Sequence, residues 1–287
     1  MYELQISTRS CRSDTELALL AGTVPTRESY DTLLDEDARV VVRSQGVQAR
    51  LVRNGIPEKL VKTSAELFRT VRGDLSNRGN AVYRDSMMPR VKANGTISDT
   101  NAVPASLLAH MRQENGRLGL VPPETNFLGY FDKTPRTQKC RETAWTLAQP
   151  DIFAISEDLA REVERVNKSE HYDSWKRQRD FMRQVSSDFK YHNSIYSTMT
   201  VNLNVNFGLH IDSGDFTGGM GNLVVLELGH ADSGILVMPR TRVAFLVRPT
   251  DVLLMNVHDW HGNRPLTESG TRLTAVLYAR ERIDRCR

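Results

Sequence analysis

The hydrophobic period of this chain changes near residue 194, and that change limits the folds open to it more than any other feature. Beyond it, runs rich in Val, Leu, Ile and Thr at 196–207, 222–228, 234–238, 242–247, 251–257 and 271–279 are short and separated by Gly, Pro, Asn and Asp. This is the pattern of strands broken by turns. Before residue 194, apolar residues recur mostly at helical spacing. Six or more short strands with helices outside them predict an α+β protein with a double-stranded β-helix (jelly-roll) core and flanking helices. The open end of such a sandwich can hold a metal.

Residues 202–212 read Asn-Leu-Asn-Val-Asn-Phe-Gly-Leu-His-Ile-Asp. Along an extended chain alternate side chains share a face. Asn202, Asn204, Asn206, His210 and Asp212 therefore face one way, and Val201, Leu203, Val205 and Phe207 the other. An imidazole and a carboxylate two residues apart can converge on one ion. A second His from a later strand would complete the two-His-one-carboxylate set of non-haem Fe(II) oxygenases. His258 and His261 compete for that place, and His261 is favoured because Gly262 permits a close turn. His110, His171, His192 and His230 have no matched partner and read as structural. Gly214, Gly218, Gly219 and Gly221 lack the lysine and the strand–turn–helix context of a nucleotide loop and read as a flexible lid.

In the last strand Arg272, Thr274, Tyr278 and Arg280 share one face, and Leu273, Ala275, Leu277 and Ala279 the other. Inward-facing arginines need anionic company. A dicarboxylate such as 2-oxoglutarate offers Arg272 a bidentate salt bridge, with Thr274 adding a neutral hydrogen bond. Arg272 follows His261 by eleven residues, so one turn returns the strand beside the metal.

The rest of the chain says less. Residues 40–42 and 47–52 predict a β-hairpin at a sheet edge. Residues 57–72 predict a helix lying flat on a sheet, a short helix is expected from Pro104 through Met111, and one long or two broken helices are expected over 155–189, capped at Ser156. The stretch 74–101 reads as loop. Residues 1–37 carry no readable function. We expect 1–55 to be an N-terminal extension and β-hairpin packed on a domain spanning 56–287. The 39% hydrophobic and 25% charged composition is that of a globular protein, and a net charge of +3 permits contact with a polyanion without demanding it. No run approaches a membrane span and the N-terminus lacks a signal-peptide layout, so the expectation is an intracellular, soluble protein with no obligate protein partner. Cys11, Cys140 and Cys286, scattered and odd in number, are expected to be reduced.

Several segments together resemble the TET/JBP family of Fe(II)- and 2-oxoglutarate-dependent dioxygenases, which oxidise the 5-methyl group of pyrimidines in nucleic acid. The resemblance covers about 55–285. It rests on Ile56-Pro57 before a helix leading into Leu75-Ser-Asn77-Arg78-Gly79, on Gly129-Tyr-Phe-Asp132 with Cys140-Arg-Glu-Thr143, on His210-Ile-Asp212, on His261-Gly-Asn263, and on Arg272-Leu-Thr274 through Tyr278 and Arg280. The compact length is similar to viral and bacterial members. That implies a bacterial cytoplasm or nucleoid, with host or phage as the source. The resemblance implies His210, Asp212 and His261 as iron ligands, Arg272 and Thr274 as the 2-oxoglutarate site, and O₂ as co-substrate. It also implies substrate contacts from Asp215, Arg280, Tyr278, Asn77 and Arg78. Asp215 stands where the family has an Asn that touches the target base, Arg280 replaces a His that does likewise, and Leu236 stands where some members have a further cofactor-binding His.

The expected function is thus hydroxylation of a pyrimidine 5-methyl group in DNA, with the base flipped out of the duplex to reach a recessed metal. Phe207, Trp260 or Tyr278 could stack on it. If Asp215 meets the exocyclic group, this acceptor-only carboxylate matches the cytosine N4 amino group and the donor Arg280 the cytosine N3, which favours 5-methylcytosine over thymine; with the two contacts swapped, Asp215 accepting from thymine N3–H and Arg280 donating to O4 would favour thymine. Hydroxylation of a free nucleoside or other small molecule would use the same triad. A non-catalytic jelly-roll nucleic-acid-binding module would have no use for His210, Asp212, His261 and Arg272 together.

Overall fold

The computed structural model describes residues 1–71, 111–114, 117–120, 124–135, 137–230, 234–266 and 271–287. The expected loop over 74–101 with Asn77 and Arg78, and the expected helix from Pro104 up to residue 110, lie outside them. Among the described residues, strands β1 (Tyr2–Ile6), β2 (Thr32–Leu34), β3 (Ala38–Val42), β4 (Gly46–Val52), β5 (Met111–Glu114), β6 (Arg117–Leu120) and β7 (Glu124–Phe131) precede the helices of residues 144–182. After β8 (Arg141–Glu142) and the helices come β9 (Thr198–Leu203), β10 (Gly221–Leu228), β11 (Ile235–Met238), β12 (Val243–Leu246), β13 (Val252–Met255), β14 (Gly262–Asn263) and β15 (Arg272–Tyr278).

The strands form a double-stranded β-helix. One sheet runs β1-β3-β4-β13-β10-β15-β9-β7-β8 and faces a smaller sheet, β14-β11-β12-β2. Strict alternation along the central strands makes this possible. On β10 and β13, Leu223, Val225, Leu253 and Met255 turn into the space between the sheets, where they meet Leu236, Val243 and Phe245 of the small sheet. Their neighbours Val224, Leu226, Val252 and Leu254 turn outward against the helices. Because both faces are covered, these strands read as nearly continuous apolar runs. The helices that cover them are α2 (Glu58–Phe68), which follows the short α1 (Asp14–Leu19), then α3 (Ala144–Ala148), α4 (Pro150–Glu170) and α5 (Tyr172–Met182). Val61, Ala65 and Phe68 of α2 and Leu159, Val163 and Val166 of α4 supply the apolar stripes.

The hairpin expected at 40–52 is β3–β4, with β1 pairing parallel to β3 outside it. Three local expectations are corrected. Ser156 lies inside α4, which begins at Pro150, whose fixed φ and missing N–H suit a first helical turn; Ser156 Oγ donates back to the Phe153 carbonyl. Residues 111–114 pair with 117–120 as antiparallel strands and do not end a helix. Cys140 and Cys286, expected to be reduced, form a disulfide across 146 residues. Their separation hides the fact that the β7–β8 connection and the C-terminus meet beyond the end of β15. Among the described residues no helix is long and apolar enough to cross a membrane.

Candidate functional site

His210 and Asp212 are not on β9. That strand ends at Leu203, and Asn204 at φ 55° turns the chain out of it; the Asn204 carboxamide oxygen then accepts from the Arg272 backbone N–H at 2.9 Å. The chain returns so that His210 and His261 form an isolated antiparallel bridge, each N–H donating to the other's carbonyl at 2.9 and 3.0 Å. This bridge brings the two imidazole ring centres to 4.3 Å. His210 Nδ1 donates to the Gly208 carbonyl at 2.8 Å and His261 Nδ1 to the Asp259 carbonyl at 3.0 Å. A carbonyl only accepts, so each Nδ1 carries a proton, and both Nε2 atoms point away from the backbone. The two Nε2 atoms each lie 3.6 Å from an Asp212 carboxylate oxygen. Among the described residues this is the one group of His, Cys, Asp and Glu whose ligand atoms converge within 4.8 Å.

Two imidazoles, one carboxylate and no thiolate form a donor set that suits Fe(II). The local potential agrees. Burial by itself would push the His261 imidazole down, but the hydrogen bond and charge of Asp212 reverse this and hold it above its ordinary value. His258, the competing histidine, does not converge with Asp212 and is absent from the cavity wall.

The triad opens into a cavity of about 80 Å³ between the two sheets. Its wall includes Arg272, Thr274, Val276 and Tyr278, the alternating inward face of β15, while Leu273, Ala275 and Leu277 pack against the helices. Arg272 is 3% exposed. Its Nη1 donates to the Arg264 carbonyl at 3.3 Å and its Nη2 to the Val205 carbonyl. Burial lowers it to about 10, which leaves the guanidinium charged at neutral pH. Leu223, Leu236 and Met255 close the cavity with apolar surface.

At the other end Asp215, 8% exposed, lines the cavity and bridges to Arg280 through the backbone. Arg280 does not line it. The guanidinium turns to Asp132, donating from Nε to Oδ1, and lies over the Phe131 ring at 4.9 Å. Burial opposes its charge, yet Tyr278, Asp132 and Asp215 hold it above its ordinary value. Of the stacking candidates, Phe207 and Tyr278 reach the cavity and Trp260 does not. Asn202 and Thr200 on β9 also line it. Thr200 was missed because a Thr inside a buried strand reads as β-branched filler; only its register beside Tyr278, whose hydroxyl it meets at 3.2 Å, marks it. The glycine-rich segment after Asp212 is not a free lid. Phe216 stacks on Phe181 at 4.1 Å and donates its N–H to the Ala279 carbonyl, Glu281 donates to the Gly214 carbonyl, and Arg177 donates to the Gly218 carbonyl.

Residues 1–37 brace the loops that carry His210 and His261. Leu209 exchanges backbone hydrogen bonds with Gly22 and Thr23 at 2.8 Å. Arg240 reaches from Asp14 to Asp259, donating from Nε to Asp259 Oδ1 at 2.6 Å, directly behind His261. A Cβ on Gly208 would stand 2.3 Å from the Gly22 carbonyl oxygen, a backbone atom with no rotamer to yield. Gly208→Ala is therefore expected to displace the carbonyl that orients His210 and to weaken metal affinity about 10–100-fold, the usual effect of losing a ligand's supporting contact. A Co(II) absorbance titration reads this directly, and unchanged affinity would remove the role given to this contact.

Residues 126–281 match Tet_JBP, the oxygenase domain of the 2OGFeDO superfamily. Thymine dioxygenase JBP1 of Trypanosoma brucei brucei is 29% identical over 216 residues, which cover 70% of this chain and 25% of that protein. The bifunctional helicase and thymine dioxygenase JBP2 of Leishmania tarentolae is 29% identical over 272 residues, covering 88% of this chain and 23% of that protein. The chain thus spans about a quarter of the length of these relatives. Among solved structures, NgTET1 in complex with 5mC DNA superposes with a TM-score of 0.57 at 13% identity, covering 95% of this chain and 93% of that one. At that identity the likeness speaks for the fold.

Proposed function

The chain belongs to the Tet/JBP family, the oxygenase domain of the 2OGFeDO superfamily, and from that premise we propose that it hydroxylates the 5-methyl group of a pyrimidine base in DNA, with 5-methylcytosine favoured over thymine. The observation that carries the reading is one cavity with the His210, Asp212 and His261 donors on its wall, the buried Arg272 and Thr274 beside them, and Asp215 at its edge. The superfamily's cofactors are Fe(II), 2-oxoglutarate and O₂. Iron, when bound, supplies the activation of oxygen coupled to oxidation of 2-oxoglutarate.

The protein's own residues bind and orient. His210, Asp212 and His261 would hold the metal. Arg272 would pair with the distal carboxylate of 2-oxoglutarate through its planar fork while Thr274 donates its hydroxyl to the same group. Leu223, Leu236, Met255 and Val276 exclude water from the space between. A methyl group on a stacked base cannot reach a metal recessed between two sheets, so the target nucleotide would swing out of the duplex. Phe207 and Tyr278 offer faces for the extruded ring.

The base preference rests on Asp215. The Asp215 carboxylate lines this end of the cavity wall, while the Arg280 Nε donates to Asp132. A carboxylate accepts and does not donate, which matches the cytosine N4 amino group and repels the thymine O4. The relatives named for thymine oxidation make the opposite outcome a real competitor. Matched duplexes that differ only in 5-methylcytosine or thymine at the target, incubated with Fe(II) and 2-oxoglutarate and analysed by nucleoside mass spectrometry, decide it. Formation of 5-hydroxymethylcytosine is expected to be faster, and Asp215→Asn is expected to narrow the difference. Faster 5-hydroxymethyluracil would overturn the preference, and no oxidised base in either duplex would overturn the function.

A further inference from the structure

Two short segments far apart in sequence meet at the Arg280 end of the cavity. Residues 132–142 make up the β7–β8 connection and β8 itself, and residues 280–287 follow β15. Three ties join them. Arg280 Nε donates to Asp132, the Arg280 guanidinium covers Phe131, and the Cys140–Cys286 disulfide sets their Cα atoms 5.8 Å apart. Beneath the tie, Cys286 packs with Met182, Val185, Ala279 and Ile283 in a small apolar cluster of its own.

The charge of these segments is out of proportion to their length. Each carries four basic side chains against two acidic ones, whereas the whole chain has a net charge of only +3. The two segments therefore exceed the net positive charge of the entire protein, and the remainder is close to neutral. Two of the acids are already engaged, Asp132 by Arg280 and Glu281 by the Thr217 N–H at 2.7 Å. Lys133, Lys139, Arg141, Arg282, Arg285 and Arg287 are exposed. Scattered surface charge is ordinary. Basic residues gathered from two distant segments, covalently joined, and set beside the end of the cavity that holds Asp215 are not accounted for by solvation alone.

We propose that this disulfide-joined rim docks the phosphodiester backbone of duplex DNA on either side of the nucleotide that enters the cavity. The proposal rests on the reading that the substrate is a base in DNA. Contacts to phosphate carry little sequence information but fix orientation and register, which an enzyme acting on an extruded base requires. The covalent link holds the two segments at a set spacing, so their side chains need less ordering when the duplex arrives. Each phosphate neutralised releases counterions and contributes a slope of about −0.9 to the dependence of log affinity on log salt.

The test compares the wild-type chain with Lys139→Gln/Arg285→Gln and Lys139→Glu/Arg285→Glu by fluorescence anisotropy on a duplex containing one 5-methylcytosine, across a series of KCl concentrations. Consumption of 2-oxoglutarate without DNA is measured in parallel as a check on the iron site. The neutral pair is expected to weaken binding about tenfold or more and to reduce the salt slope by about two. The reversed pair should weaken it further, and DNA-independent consumption should be unchanged in both. If the wild type oxidises the duplex while the neutral pair binds it with unaltered affinity and slope, the rim is wrong and the substrate reading stands. If the wild type binds the duplex without oxidising any base, and the variants lose that binding, the rim stands and the substrate reading is wrong.

Discussion

Replacing His210, Asp212 or His261 by Ala is expected to abolish turnover while leaving the fold in place. Each change removes one of only three protein donors converging on the same space. The loss should exceed the about 10–100-fold that follows when a ligand merely loses its supporting hydrogen bond. Stability should change little, because Asp212 is one-third exposed and the His210–His261 bridge is made by backbone groups that survive truncation. His258→Ala is the control and is expected to keep activity. The measurements are single-turnover oxidation of methylated DNA, Co(II) titration and thermal melting. Activity retained in His261→Ala but lost in His258→Ala would reverse the assignment of the third ligand.

The second large effect is expected at Arg272. Its truncation should raise the 2-oxoglutarate requirement by the ~1.5–3 kcal/mol typical of a hydrogen bond to a charged group, roughly 10–150-fold in KM. The substitution to Ala also strands the Val205 and Arg264 carbonyls that the guanidinium now satisfies, so a fall in melting temperature will accompany it. Arg272→Lys separates the two effects. It keeps the charge and most of the stem but loses the planar fork, and it should show an intermediate KM with a smaller loss of stability. A 2-oxoglutarate KM equal to wild type in both variants would remove Arg272 from the cofactor site.

The strand half of the fold was legible because buried strands write themselves as short apolar runs: β10 to β13 and β15 coincide with runs read from sequence to within a residue or two, whereas the two-residue β14 lies in none of them. The inward face of β15 was legible for a similar reason, since period two assigns Arg272, Thr274 and Tyr278 to one side. What failed were features that depend on a departure from periodicity. The alternation that placed His210 on the polar face of β9 ignored the left-handed turn at Asn204, and the two residues reach the site by a separate loop. Arg280 followed the same alternation on paper, but it lies past the end of β15, where an oppositely charged partner from β7's end captures it. The disulfide and the bracing of the metal loops by residues 12–23 are long-range pairings. No local pattern announces them.

The reciprocal hydrogen bonds between His210 and His261 bear on how a metal would be acquired. Two ligands that are partners in a fragment of β-ladder inherit their separation from backbone pairing, and their ring orientations from the Gly208 and Asp259 carbonyls. The conformational entropy of bringing them together is therefore spent when the chain folds, so it does not count against the ion when it enters. A site assembled in this way would exchange one divalent ion for another as a local event, because the backbone bridge that spaces the two imidazoles does not depend on the ion.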